Sequence, residues 1–448
     1  MNQKSTIIVK GSVHQVTIES LTQDSRGVCH IDGKAVFVSD VLPGEELKLR
    51  IVRNKRRFAE ASIEELLQVS PKRVEPPCRY FGLCGGCGLQ HLHSDEQLAS
   101  KEQILLEQLE HIGHVKPQSV LPMMRSETLG YRRKARVGVK YVIKKERLLV
   151  GFRERKSPFI ADMEACQVLH PSVGQRLTVL RDLIAGLSIF DAIPQVEVAV
   201  ADKVALVFRH LKDLSVEDQQ KLAEFAQQQQ VEVYLQSAGP DSIVWLNPDS
   251  LMTESPPPLH YLLDDWQLNM AFQPSDFVQI NFDINQKMIA QALSLLEVTK
   301  SDRVLDLFCG LGNFSLPLAR QADQVIGVDV DQALIQRAAD NAALNKLSNV
   351  EFYAADLFLD QRKADWWSQI AFNKVLLDPA RTGAIEILPH LAAQKPERIV
   401  YVSCNPATLA RDADLLVNEC GYRLVSAGVM DMFPHTHHVE SMALFVRD

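Results

Sequence analysis

Residues 304–319 read VLDLFCGLGNFSLPLA, and their reading decides the fold of the larger part of the chain. An apolar strand run carrying Asp306 stops at a G-x-G turn, Gly310 and Gly312, and a helical stretch follows. Glycines let a backbone turn sharply and let a ligand approach it closely. The next strand run ends in IGVDVD, which puts Asp329 at its carboxyl end. An acid there can accept hydrogen bonds from both ribose hydroxyls of an adenosine. The third glycine of a dinucleotide fingerprint is missing, and no G-x-x-x-x-G-K-[ST] cradle for a triphosphate occurs. The stretch therefore predicts a nucleoside-binding α/β domain of a different kind.

Outward from it, NVEFYAAD, KVLLDPA and RIVYVSC alternate with helical stretches, and strands near YRLVSAGVMDMF and SMALFVR close the chain. Such alternation predicts a mostly parallel, doubly wound sheet over 269–448. Residues 1–70 instead show short period-2 runs broken by DSRG, IDGK and LPGE, the pattern of a small antiparallel β-barrel. SPKRVEPP reads as a linker. Residues 71–268 form a central, mostly β domain, with a helix starting at Ser94 and others near 171–188 and 215–230.

The 448 residues are 46% hydrophobic and 23% charged, the composition of a soluble globular protein with two to four domains. No apolar run reaches the ~20 residues of a membrane span. The opening MNQKSTIIVKG lacks a leader's apolar core, so the expected location is cytoplasmic. A net charge of −8 argues against a non-specific nucleic-acid coat protein, but the average hides two basic runs. KLRIVRNKRR, residues 48–57, holds six bases and no acid; residues 131–156 hold eleven bases and two acids. Each can bind phosphate or be a solvated strand face.

Eight cysteines in a reducing compartment point to metal binding or catalysis. CRYFGLCGGCGLQ spaces Cys78, Cys84 and Cys87 as C-x5-C-x2-C, and Cys166 in DMEACQVLHP supplies a fourth thiol, with His91 and His93 as rivals. Four thiolates can hold a [4Fe–4S] cluster or a tetrahedral zinc, and the spacing leaves both open. His435, His437 and His438 lack zincin spacing and read as a surface loop.

The pattern D-L-F-C-G-x-G-N-F resembles the first motif of class I S-adenosylmethionine-dependent methyltransferases. By that resemblance Asp356 sits near the adenine and Asp378 where cofactor meets substrate. Cys404 then falls at the carboxyl edge of the fifth strand, before an Asn405-Pro406 turn that would present the thiol. A thiolate adding to C6 of uracil makes C5 nucleophilic enough to take a methyl group, after which a base must remove the C5 proton. Glu440, at the start of the last strand, can be that base.

Over its whole length the sequence resembles the RNA uridine-C5 methyltransferases, through FQPSDFVQIN, LDLFCGLGNF, LLDPAR, VSCNPATLARD and MFPHTHHVES in the family's order. The resemblance implies Cys404 as nucleophile and Glu440 as base. It implies cofactor contacts at Gln279, Phe308, Asn313, Asp329, Asp356 and Asp378. Its ribosomal-RNA branch implies a [4Fe–4S] cluster on Cys78, Cys84, Cys87 and Cys166, whereas the tRNA branch lacks this set. The N-terminal barrel resembles a TRAM domain, an OB-like RNA-binding module. The implied partner is 23S ribosomal RNA, modified at a uridine of the 1939 type, with another rRNA site or tRNA as the alternative, and the expected working state is a monomer.

Overall fold

A computed structural model of the chain describes residues 8–22, 24–361, 364–368 and 371–447. The first seven residues, which open the expected 1–70 barrel, lie outside the described ones. Two compact units separate: Met1–Lys101 with Glu154–Ser157 and Pro434–His437, and Glu102–Arg153 with Pro158–Phe433 and His438–Asp448.

In the second unit the decisive stretch nucleates the expected sheet. We number its strands β1 (Arg303–Leu307), β2 (Gln324–Asp329), β3 (Val350–Ala354), β4 (Lys374–Leu377), β5 (Arg398–Ser403), β6 (Arg423–Met430) and β7 (Glu440–Val446). Their order across the sheet is β3-β2-β1-β4-β5-β7-β6, with the short strand Ser119–Val120 beyond β6. The first five run parallel, and β7 lies antiparallel between β5 and β6. The central strands are near-continuous Val, Ile and Leu because helices cover both faces of such a sheet. Val304, Leu305, Val325, Val375, Leu376, Ile399 and Val400 are all buried. Each such side chain is worth about 1.5–3 kcal/mol of transfer free energy.

The same unit holds a seven-stranded sheet with the order Thr253–Glu254, Ile243–Leu246, Glu232–Gln236, Val204–Arg209, Gln195–Val200, Lys134–Val142, Arg147–Gly151. Its helices Pro171–Gly174, Leu177–Ala185 and Val216–Gln229 fall where the periodicity placed them. One apolar core runs from Val207 and Tyr234 of this sheet, through the hairpin Leu259–Leu263/Leu268–Phe272, to Val304, Leu376 and Leu444.

The first unit is a six-stranded barrel sheet around Ile18, Val36, Val38, Leu47, Leu49 and Ile51. SPKRVEPP is tied down more firmly than a linker. Arg73 grips the fully buried Glu45 carboxylate through Nε (2.6 Å) and Nη2 (2.8 Å) and donates to the Asp40 carbonyl. The histidine loop departs from the surface reading at His435, while His437 is exposed and His438 half-buried. His435 is buried, and its N–H donates to Gln97 Oε1 at 2.9 Å. Among the described residues no helix is long and apolar enough to cross a membrane.

Candidate active site

The glycine turn is built by its neighbours. Phe308 leaves β1 at φ +64°, a costly conformation for a bulky residue, and its N–H donates to the Val328 carbonyl at 2.8 Å. Cys309 also bonds that carbonyl, and its thiol is buried against Gly327, as a packing residue would be. Gly312, at φ +91°, has no room for a Cβ, which would sit 2.4 Å from Leu316. At Gly310, φ +55°, a Cβ would meet nothing within 4 Å, so this part of the turn borders open space.

Three carboxylates gather at the carboxyl ends of β1, β2 and β4. Asp329 Oδ2 accepts from the Gly310 N–H at 3.0 Å, and its Oδ1 accepts from Asp331 N at 3.0 Å. Asp306 is fully buried, takes a short hydrogen bond from Ser315 Oγ on Oδ2, and has no hydrogen-bond partner on Oδ1. Burial pushes its carboxyl up to about 8, and the charges of Asp378 and Asp329 add to the shift. Burial alone pushes Asp378 to about 7. Such a site favours a cation. Facing acids, an orphaned carboxyl oxygen and the open side of Gly310 together fit a sulfonium nucleoside.

Of the other expected cofactor contacts, Asn313 lies within this turn and Asp356 beside it. Asn313 is locked: it donates to Asn285 Oδ1 (2.8 Å), while its own Oδ1 accepts from Asn285 Nδ2 (2.9 Å) and Tyr261 OH (3.1 Å). These three bonds fix the turn. Asp356 Oδ1 accepts from the Phe358 N–H at 3.0 Å, and the exposed Phe358 ring lies 6.2 Å from that of Phe308. Gln279 lies in FQPSDFVQIN, a loop pinned at both ends. Asp276 pairs with Arg337 (2.6 Å) and its carbonyl takes Lys134 Nζ; Asn281 caps the helix Phe282–Leu296 and donates to Ser126 (2.8 Å).

Cys404 directly follows β5. Asn405-Pro406 does not make the expected turn. Asn405 is the N-cap of the helix Pro406–Asp414, with Pro406 at its first position, where the missing N–H costs nothing. The thiol is half-buried, not fully presented. The ladder ends at the pair Ser403 and Ser441, with Cys404 one residue beyond it on one chain segment and Glu440 one residue before Ser441 on the other. The two groups sense each other: burial first, then the charges of Glu440 and Asp378, push the Cys404 thiol up to about 11, while Arg381 acts in the opposite direction.

The helix after Cys404 also grips the loop after Asp378. Asn405 Nδ2 (2.9 Å) and Thr408 Oγ1 (3.2 Å) donate to the Arg381 carbonyl, and Arg411 donates to the Thr382 carbonyl (2.9 Å). The buried Asp412 accepts from Ala384 N (2.8 Å) and Tyr401 OH (2.7 Å) and pairs with Arg411. The two motifs LLDPAR and NPATLARD are thus one clamp. Sequence reasoning missed this clamp, the Asn285–Tyr261 support and the burial of Asp306.

Cys78, Cys84 and Cys87 lie in the first unit and Cys166 in the second. Among the described residues, no group of three or more His, Cys, Asp or Glu side chains is drawn together tightly enough to hold a metal ion. The Gly86 N–H points at Cys84 Sγ at 3.4 Å, a contact that suits a thiolate. The basic run 131–156 is partly absorbed by the fold: Arg136 pairs with Glu197 and Arg147 with Asp162, Lys134 is half-buried and donates to the Asp276 carbonyl, and Arg133 lies over Phe282.

Residues 195–448 match the family model of the tRNA (uracil-5-)-methyltransferases, and residues 9–63 match the TRAM domain. A relative from Xanthomonas campestris is 49% identical over 96% of both chains and is named 23S rRNA (uracil(1939)-C(5))-methyltransferase RlmD. One of the same name from Francisella tularensis is 46% identical, over 98% of this chain and 97% of its own. Among solved structures, Pyrococcus abyssi tRNA (uracil-54, C5)-methyltransferase, in complex with S-adenosyl-L-homocysteine, superposes with a TM-score of 0.73 at 25% identity, covering 96% of this chain and 99% of its own.

Proposed function

The chain belongs to the tRNA (uracil-5-)-methyltransferase family, and from that premise we propose that it methylates C5 of uridine 1939 in 23S ribosomal RNA. It is an S-adenosylmethionine-dependent RNA methyltransferase of the uracil-C5 class. The observation that carries the reading is that Cys404 and Glu440 flank the last pair of the β5/β7 ladder and that the charges of Glu440 and Asp378 both act on the Cys404 thiol. When bound, S-adenosylmethionine supplies the methyl group as a cation equivalent. Cys404 loses its proton to solvent and its sulfur bonds to C6, which moves the C5=C6 electrons toward C5 and the C4 carbonyl. C5 takes the methyl group. Glu440 then removes the C5 proton, and the returning electrons re-form C5=C6 and expel the Cys404 sulfur.

Gln279, Phe308, Asn313, Asp329, Asp356 and Asp378 are proposed to hold the cofactor, directly or by fixing the turn. As functional divisions we propose 1–70 for RNA binding, 71–268 for the cysteine set and RNA positioning, and 269–448 for methyl transfer. An rRNA substrate places this work in the cytoplasm. Transcripts of the 23S segment around uridine 1939 and of tRNA, incubated with labelled S-adenosylmethionine, test the substrate. Label confined to the rRNA supports the proposal, and label confined to the tRNA contradicts it.

The acids impose a pH signature. A cation beside Asp378 favours its ionised form, so its pKa falls on binding and protons are released wherever the free group, near 7, is still protonated. Affinity for S-adenosylmethionine should therefore rise as pH increases from 6 toward 7.5 and then level, while neutral S-adenosylhomocysteine shows a weaker trend. Calorimetry in buffers of different ionisation enthalpy measures the difference. Equal proton release for both ligands at pH 6 would refute it.

The four soft thiols Cys78, Cys84, Cys87 and Cys166 could hold a [4Fe–4S] cluster or zinc; we take the cluster from the ribosomal-RNA branch resemblance, and the Gly86 N–H on Cys84 suits a thiolate in either case. Methyl transfer needs no electron, so a cluster there would serve the RNA-binding architecture. Anaerobically prepared protein should hold about four iron atoms per chain; zinc in stoichiometric amount would replace the assignment.

A further inference from the structure

KLRIVRNKRR looks in sequence like one continuous basic strand, but the barrel divides it in two. The strand Glu46–Asn54 carries Lys48, Arg50 and Arg53, and the antiparallel strand Phe58–Gln68 sets a glutamate against each. Lys48 Nζ lies 2.6 Å from Glu65, Arg50 Nη2 2.5 Å from Glu64, and Arg53 Nη1 4.0 Å from Glu60. The strand face is thereby close to neutral.

The three-residue connection between these strands is different. Lys55, Arg56 and Arg57 are all exposed, and among the described residues none of them makes an ion pair or a side-chain hydrogen bond. Their backbone is nevertheless well held. Lys55 N donates to the Phe58 carbonyl at 2.9 Å. Asn54, just before the tip, accepts from Lys34 Nζ (2.5 Å) and donates to the Ile8 carbonyl (2.7 Å). Just after it, the Phe58 ring packs edge-on to Phe37 at 5.7 Å, and the Arg26 guanidinium covers Phe37 at 4.7 Å. Three unpaired positive charges thus stand on a rigid hairpin tip beside two half-buried aromatic rings.

We propose that the tip Lys55–Arg57 is the barrel's phosphate-binding contact with RNA and that the basic strand face is not. The inference rests on the RNA-substrate reading above. A base without a carboxylate partner gains a full ionic contact and releases a counterion when it meets a phosphate. A paired base must first give up its glutamate, which then remains beside the incoming phosphate and repels it. Equal numbers of basic residues on the two surfaces therefore contribute unequally.

The test is the salt dependence of full-chain binding to a fluorescent single-stranded 20-mer of the 23S segment. Each contact to single-stranded RNA contributes roughly 0.7 to the slope of log K against log salt. K55Q/R56Q/R57Q should lower that slope by about 2, so that between about 50 and about 200 mM salt the variant loses roughly 15-fold less affinity than wild type. K48Q/R50Q/E64Q/E65Q removes two ion pairs without changing net charge and should leave the slope within about 0.5 of wild type. An unchanged slope in the tip variant, or a larger loss in the strand variant, overturns the assignment while leaving RNA binding intact. Wild-type protein with no salt-dependent affinity for the probe would instead remove the RNA reading itself. All the substituted side chains lie on the barrel surface, and matching melting curves confirm that each variant is folded.

Discussion

Cys404→Ala should form no detectable 5-methyluridine, a loss of at least ~10⁴-fold in turnover, while binding S-adenosylmethionine as wild type does. The expectation follows from the electronics of uracil. C5 is not nucleophilic enough to take a methyl group until a nucleophile has added to C6, and no other thiol is assigned to this ladder end. Cys404 is half-buried, so trimming Sγ removes little packing and should shift the melting temperature only slightly. Liquid chromatography of digested RNA, with calorimetry for cofactor binding, separates lost chemistry from lost fold. Residual methylation at a tenth of the wild-type rate would mean that C5 is activated by another group.

Glu440→Gln should divide the reaction differently. Addition to C6 and methyl transfer need no base of this kind, but the final elimination does. The variant should therefore incorporate about one methyl group per active site and then stop, with methylated RNA covalently attached to Cys404. Steady turnover should fall on the order of 10³-fold. The same substitution removes a negative charge that raises the Cys404 pKa, so the thiol should ionise below its present value of about 11. Faster iodoacetamide labelling of the Cys404 peptide at pH 8, resolved by mass spectrometry, reads that shift independently of catalysis. Unimpaired multiple turnover would show that another group accepts the C5 proton.

The strand ends of the methyltransferase sheet were legible in the sequence because each combines an apolar run with a polar residue at a ligand-facing edge. Asp306, Asp329, Asp378 and Cys404 all lie where that rule puts them. That Cys404 and Glu440 flank one ladder end was not legible, since it depends on β7 pairing antiparallel with β5 in one particular register. Asn405-Pro406 carried a readable signal, an N-cap followed by proline, that points to a helix start where a turn was expected. Asp412 offered no such signal. Its importance comes from Tyr401, Arg411 and the Ala384 N–H converging on one buried carboxylate, an arrangement made by tertiary packing alone. The same holds for KLRIVRNKRR, whose strand charges are cancelled by glutamates that only the barrel's register sets opposite them.

The covalent step is the centre of this account, and 5-fluorouridine tests it most directly. A 23S segment carrying 5-fluorouridine at position 1939 lets Cys404 add to C6 and C5 accept the methyl group, but the fluorine cannot leave as a proton. Wild-type protein with S-adenosylmethionine should therefore accumulate a denaturation-resistant, methylated adduct in which Cys404 carries the RNA, and Cys404→Ala should form none. Methylation of ordinary uridine RNA without any such adduct on Cys404 would contradict the mechanism.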